Sequence, residues 1–200
     1  KHVRQEGLVV SYAALTEVPL GQRADDSEEF KGCHGDFWQI AHRVLRWPED
    51  LIAPRSSAPE FCNRRLTELN VTLSADAALL DADKSSVRLL VRTLGSGDPD
   101  TKGAIEGWEG VSEQQAFERL LRESRVQQGI LVTDRLIRLT YAPPGETPGY
   151  LEWPIESMAT TAGRPMLGGL KLLLGRNAIW GGEESRLDGI LRRSREHQNI

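Results

Sequence analysis

The chain has 200 residues, of which 39% are hydrophobic and 27% are charged, as is ordinary for a globular protein of one or two domains. Its longest apolar runs, 77–80 and 172–174, are far shorter than the ~20 residues of a membrane span, and residues 1–10 lack the pattern of a secretory signal, so we expect a cytoplasmic protein without membrane contact. The net charge of -4 excludes a chain-wide basic surface, and any nucleic-acid contact must therefore be local.

The only two cysteines, Cys33 and Cys62, are far apart in the sequence. His34 adjoins Cys33, but the four histidines are scattered, and a structural zinc site needs several cysteine or histidine ligands at close spacing. We therefore predict two buried free thiols and no metal site.

The first part of the chain predicts a short strand over 7–12, a polar loop through 21–28 and two helices. Apolar residues at helical spacing predict the first helix over 37–45, which Pro48 ends. The proline- and serine-bearing stretch 53–59 predicts a loop, and 60–69 predicts the second short helix.

From residue 70 the pattern changes to strands. Apolar residues alternate over 70–79, which predicts a half-buried strand, and a second strand is expected over 87–94 as its hairpin partner or neighbour. The stretches 130–132 and 136–141 predict a tight hairpin, and 150–155 predicts a further strand.

Local signals mark the helices of the second half. Ser112 and Gln115 form a plausible capping box at a helix start, and Pro165 opens a helix that Gly175 ends. A last helix over 183–198 carries no terminal cap. The predicted fold is α/β of the α+β kind, a mixed sheet with flanking helices.

The order helix, strand, strand over 60–94 resembles that of a PD-(D/E)xK nuclease core, with Glu68 on the helix and Asp76 on the first strand. Such a core needs an acid, and two residues later a lysine, on the second strand, because two carboxylates hold the divalent metal while the lysine orients water. Arg92 and Leu94 stand at these positions. The core is therefore predicted to be degenerate and without metal, and Asp76 to hydrogen-bond a turn or pair with Arg92.

Several stretches are more specific: AFERLLRE at 116–123, GIL at 129–131, IRLTYAP at 137–143 and AGRP at 162–165. Together with GLVV at 7–10 and SREHQ at 194–198, they resemble the N-terminal region of type IIG-like adenine-specific DNA methyltransferases, as in the methylase of DISARM phage-defence systems. The resemblance covers most of the chain and is weakest over 23–36 and 54–61.

In that family the catalytic domain lies downstream and contains the S-adenosylmethionine and N-P-P-Y-type motifs, which do not occur here. The resemblance therefore implies a nuclease-like accessory domain over 1–180 and the start of a helical linker over 181–200. It implies no catalytic residue and no cofactor in this chain, with S-adenosylmethionine expected in the downstream domain. Expected partners are double-stranded DNA, the downstream domain and other subunits of the defence system.

Arg135, Arg138 and Arg164 are the candidate DNA contacts, since arginines and helix starts suit phosphates. They could instead brace the sheet. Two other functions remain open: an active metal-dependent DNA endonuclease, and a pure protein-interaction module.

Overall fold

A computed structural model describes residues 4–6, 24–182 and 186–198. The chain divides into two compact units, which we call the central unit (residues 50–148) and the terminal unit (residues 1–49 and 149–200). The predicted strand over 7–12 and the first residues of the last predicted helix, 183–185, lie outside the described residues. The predicted division into 1–180 and 181–200 stays a prediction.

The described residues form a mixed α/β structure. The strands are β1 (Arg4–Glu6), β2 (Ile52–Pro54), β3 (Asn63–Leu66), β4 (Val71–Ser74), β5 (Ala77–Leu80), β6 (Val87–Thr93), β7 (Gln128–Val132), β8 (Leu136–Tyr141) and β9 (Gly149–Pro154). The helices are α1 (Ala24–Gly32), α2 (Phe37–Arg43), α3 (Pro59–Cys62), α4 (Glu113–Ser124), α5 (Ile155–Met158), α6 (Arg164–Leu174), α7 (Arg176–Trp180) and α8 (Leu187–Gln198). Short 3-10 helices span Glu49–Leu51 and Thr161–Gly163.

The central unit contains a sheet in the order β2, β5, β6, β7, β8. β6 and β7 are parallel and the other pairs are antiparallel, which confirms the predicted mixed sheet. A parallel pair needs a long crossover, and α4 lies in the connection between β6 and β7. The apolar face of α4, including Phe117, Leu120 and Leu121, joins the core cluster with residues of β5, β6 and β7.

Two predicted elements around residue 70 are wrong. The helix expected over 60–69 lasts only through α3, because the chain then enters β3 and pairs with β4 as a separate hairpin. The strand expected over 70–79 is broken at Ala75 and Asp76. The N–H of Ala75 donates to Cys62, whereas the N–H of Asp76 donates to Val91, so the chain passes there from one sheet to the other.

Local signals in the central unit are confirmed. Ser112 accepts the backbone N–H of Gln115 and the Gln115 side chain accepts that of Ser112, which completes the capping box. The hairpin of β7 and β8 has the predicted antiparallel pairing, and Thr133 closes its turn by accepting the N–H groups of Arg135 and Leu136. The predicted second strand is β6 and pairs with β5.

The terminal unit contains the antiparallel pair β1 and β9 and six of the described helices. The stretch predicted as loop over 21–28 is wrong where described, since α1 begins at Ala24 and buries Ser27 and Phe30 three residues apart. α6 confirms the prediction with Pro165 in its first turn and Gly175 as its C-cap. Its buried residues are Met166, Leu167, Leu170, Leu173 and Leu174.

Aromatic side chains in the terminal unit tie α2 to the end of α6. The ring of Trp47 lies edge-on to those of Phe37 and Trp180, and its indole N–H donates to the carbonyl of Leu174 at 2.7 Å. A buried tryptophan needs such a partner for its N–H. Within the described ranges, no helix has the length and apolar character of a membrane span.

Candidate functional site

Asp76 immediately precedes β5 and is half-buried. Its carboxylate accepts the backbone N–H of Thr93 at 2.7 Å, across the antiparallel pair of β5 and β6. Its own N–H donates to the carbonyl of Val91 at 2.8 Å. The residue thus fastens the end of β6 to the start of β5, and one of its two oxygens is already engaged by the backbone.

Arg92 forms its ion pair with Glu113. The predicted pairing of Arg92 with Asp76 is therefore wrong. The Nε of Arg92 lies 3.1 Å from Oε2 of Glu113, and its Nη1 donates to the carbonyl of Ser74 at 2.7 Å. Both side chains are largely shielded, with 24% of Arg92 and 17% of Glu113 exposed. The guanidinium therefore joins β6, the end of β4 and the start of α4 in one ion-paired cluster.

The other two nuclease-like positions are Leu94 and Glu68. Leu94 is partly buried and packs against the apolar core, and its N–H donates to Val132. Glu68 lies in the turn between β3 and β4, and not on a helix, where it forms an exposed ion pair with Arg119 at 3.1 Å. Among residues 4–6, 24–182 and 186–198, no three His, Cys, Asp or Glu side chains are grouped closely enough to hold a metal ion.

Arg138 lies in the interior of the central unit, with only 1% of its surface exposed. Its guanidinium donates two hydrogen bonds to the carboxylate of Asp100, at 2.9 and 3.0 Å, and one to Oε1 of Gln114 at 3.2 Å. The amide of Gln114 in turn donates to Thr140 at 3.1 Å. This placement corrects the choice of Arg138 as a DNA contact, because a side chain buried and bound in this way does not reach a phosphate at the surface.

Arg135 and Arg164 are both exposed. Arg135 lies in the turn between β7 and β8 of the central unit, and Arg164 is the first residue of α6 in the terminal unit. Neither side chain forms an ion pair within the part of the chain that the structure describes. Each is thus open to an anionic partner.

The central unit also contains an open cavity of about 700 Å³. Five separate segments line it: Arg55, residues 69–74, Arg92, residues 104–107 and a set of α4 residues, Glu113, Ala116, Phe117 and Leu120. Sequence reasoning did not find it, because no local pattern marks residues that only the fold brings together.

Cys33 and Cys62 are buried free thiols, as predicted. Burial raises the pKa of each thiol above its ordinary value, and this effect outweighs the opposing influence of Arg43 on Cys33 and of Arg55 on Cys62. Because the thiolate is the reactive form, neither cysteine is an activated nucleophile.

Comparison with protein-family models, with curated proteins and with solved structures found no match to this chain. Its function must therefore be inferred from its residues and their geometry.

Proposed function

We propose that this chain is an N-terminal accessory domain of a DNA N6-adenine methyltransferase in a restriction-modification or phage-defence system. In this proposal it has a degenerate nuclease-like core, engages DNA or braces the downstream domain, and does not cut DNA. S-adenosylmethionine belongs to the downstream domain, and this chain needs no cofactor.

The stretches that carry the resemblance lie in neighbouring elements of the central unit. Residues 116–123 belong to α4, 129–131 to β7 and 137–141 to β8. A Cβ at Gly129 would lie 2.5 Å from Cζ of Phe117 and 2.8 Å from Cδ2 of Leu121, so the glycine allows α4 to pack closely on β7. Because α4 packs on β7 at this glycine, residues of separate stretches depend on one another in the fold, which supports treating the stretches as one motif.

One observation carries the non-cleaving part of the proposal: Arg92 stands where a nuclease of this kind needs its second metal-binding carboxylate. Its positive charge would repel Mg²⁺, which prefers oxygen ligands. The nearest acid, Glu113, already pairs with the guanidinium at 3.1 Å. Asp76 alone supplies too few ligands for a metal ion, and its Oδ2 already accepts a hydrogen bond from the backbone N–H of Thr93.

Arg135 and Arg164 are the proposed DNA contacts. Each carries an exposed guanidinium without a carboxylate partner among the described residues, and arginine binds phosphate with two parallel hydrogen bonds. The proposed contact is local, in agreement with the net charge of -4.

The test is a titration of fluorescent duplex DNA with this chain at low and moderate salt, with and without Mg²⁺, followed by electrophoresis of the same DNA. We expect salt-sensitive binding without cleavage, and a salt dependence that falls by about one ion for Arg135→Ala or Arg164→Ala. Lys102→Ala removes one exposed positive charge elsewhere in the central unit and serves as the control.

Each other outcome has a definite meaning. Mg²⁺-dependent cutting that Asp76→Ala abolishes would establish the endonuclease alternative. Binding that both arginine variants leave unchanged would refute the assigned contacts. Absence of DNA binding at low salt would leave only the scaffolding role, whereas methylation of DNA by this chain alone would contradict the accessory assignment.

A further inference from the structure

Among the described strands, β4 pairs with β3 alone, so its outer edge has no partner strand there. In an antiparallel ladder, residues that exchange hydrogen bonds with the partner strand alternate with residues whose N–H and C=O groups point the other way. The N–H of Ala75 donates to the carbonyl of Cys62, and the register then aligns Leu73 with Arg64 and Thr72 with Arg65. The backbone N–H and C=O groups of Ala75, Leu73 and Val71 therefore point toward β3.

Thr72 and Ser74 consequently direct their backbone groups away from β3. The carbonyl of Ser74 accepts Nη1 of Arg92 at 2.7 Å, as this orientation requires. In the part of the chain that the structure describes, the N–H and C=O of Thr72 and the N–H of Ser74 have no hydrogen-bond partner. They form a short stretch of strand edge that is ready to pair.

This edge opens onto the cavity of about 700 Å³, which all of residues 69–74 line. The segment 104–107 also lines the cavity, with Gly107 close to Val71, and α4 supplies apolar side chains. Leu69 leaves 36% of its surface exposed at the end of the cavity where β4 begins. The volume lies within the range of about 300–1,000 Å³ that is typical of ligand sites.

Arg55 lies at the other end of the strand. Its Nη1 donates to the carbonyl of Ala75 at 3.4 Å, and the side chain is exposed. Arg92, by contrast, is ion-paired with Glu113. Within residues 4–6, 24–182 and 186–198, no carboxylate forms an ion pair with Arg55, which lies just beyond the last residue of β4.

We propose that the cavity binds an extended peptide of a partner protein, which adds as a strand to the outer edge of β4 and places an acidic side chain against Arg55. Unpaired backbone groups at strand spacing match a peptide, and strand addition uses main-chain hydrogen bonds for affinity and pockets for specificity. A nucleic acid fits less well, because Glu106 and Glu113 offset the charges of Arg55 and Arg92 along the same cavity. This site is separate from the proposed DNA contacts and does not depend on them.

The experiment begins with selection of a phage-displayed library of random linear peptides on the purified chain. A fluorescein-labelled copy of an enriched peptide is then titrated with wild-type protein and with variants. We expect acidic peptides to be enriched, and Thr72→Pro, which lacks the edge N–H, to weaken binding about tenfold or more, the equivalent of one or two hydrogen bonds. Thr72→Val is the matched control. Like Thr72→Pro it loses the side-chain hydrogen bond from Arg65, but it keeps the backbone N–H, so it should bind the peptide like wild type.

Two further variants keep the test valid if Thr72→Pro does not fold. Arg55→Glu should weaken binding of the acidic peptide by about tenfold, and replacement of the peptide's acid by its amide should remove that difference. Ala104 is an exposed residue of the cavity lining, and Ala104→Trp, which fills part of the cavity, should also prevent binding.

In hydrogen exchange, the amides of Thr72 and Ser74 should become protected when the peptide binds. Failure to enrich any peptide, or enrichment of peptides that bind Arg55→Glu and Ala104→Trp as well as wild type, would overturn the proposal. Displacement of the peptide by a single-stranded oligothymidylate that protects the same two amides would assign the cavity to nucleic acid instead.

Discussion

The ion pair between buried Arg138 and half-exposed Asp100 offers the most direct test of the central unit's architecture. Asp100→Ala removes the carboxylate that accepts two guanidinium hydrogen bonds, at 2.9 and 3.0 Å, and leaves Arg138 with 1% exposure. Hydrogen bonds to charged groups contribute about 1.5–3 kcal/mol each, so the upper range of the loss is about 3–6 kcal/mol. Because 48% of the Asp100 side chain is exposed and water can partly replace it, we expect about 2–3 kcal/mol.

The free energy of unfolding is measured by urea denaturation followed by circular dichroism, with thermal melting in parallel. In a chain of this length, the expected loss corresponds to a decrease in Tm of about 4–12 °C. Asp134→Ala removes an exposed carboxylate that accepts no side-chain hydrogen bond among the described residues, and it serves as the control.

A double variant measures how strongly the two residues are coupled. Arg138→Met combined with Asp100→Ala removes both charges, and its loss should be smaller than the sum of the losses of the two single variants by at least about 1 kcal/mol. If the two losses add, or if Asp100→Ala costs less than about 0.5 kcal/mol, the inference that Arg138 and Asp100 stabilise the central unit as a pair is wrong.

Three further predictions concern packing, helix capping and pH. Gly129→Ala should cost about 1–3 kcal/mol in urea denaturation, because the new Cβ lies 2.5 Å from Cζ of Phe117; an unchanged midpoint would show that α4 shifts freely. Ser112→Ala should cost about 1 kcal/mol by the same measurement through loss of the capping box, and a neutral result would contradict the cap. Burial raises the pKa of the Cys62 thiol in the folded protein. The stability that this shift contributes is complete below the pKa of the unfolded chain, about 8.5, and is lost as pH rises through the higher pKa of the folded protein. Native protein should therefore react with iodoacetamide at Cys62 far more slowly than urea-unfolded protein, and equal rates would contradict burial.

Local signals in the sequence determined several elements correctly. The capping box at Ser112, the helix between Pro165 and Gly175 and the tight turn between β7 and β8 each depend on residues within a few positions of one another. In these cases the side chain or backbone torsion that starts or ends the element is supplied locally, and so its effect can be predicted without knowledge of the fold. The burial of both cysteines followed equally from composition.

The candidate site was predicted only in part. The assignment of Asp76 and Arg92 to a degenerate metal site rests on residue type, because an arginine is not a metal ligand, and it stays a prediction. The sequence did not indicate that Glu113, 21 residues away, would take the guanidinium, or that Arg55 would line the same cavity. Those neighbours depend on how α4 and β2 are placed beside β4 and β6.

Tertiary structure alone decided the elements around residue 70 and the fate of Arg138. Residues 63–66 form a strand because β4 is available to pair with them. The predicted strand over 70–79 is interrupted at Ala75 because the N–H of Ala75 bonds to the β3–β4 hairpin, whereas the N–H of Asp76 bonds to the larger sheet. Arg138 has the sequence character of a surface arginine, yet Asp100, 38 residues away, neutralises it in the interior. A sequence pattern records the preference of a residue for water or for a local conformation. The partner that overrides this preference comes from a distant part of the chain and exists only after folding.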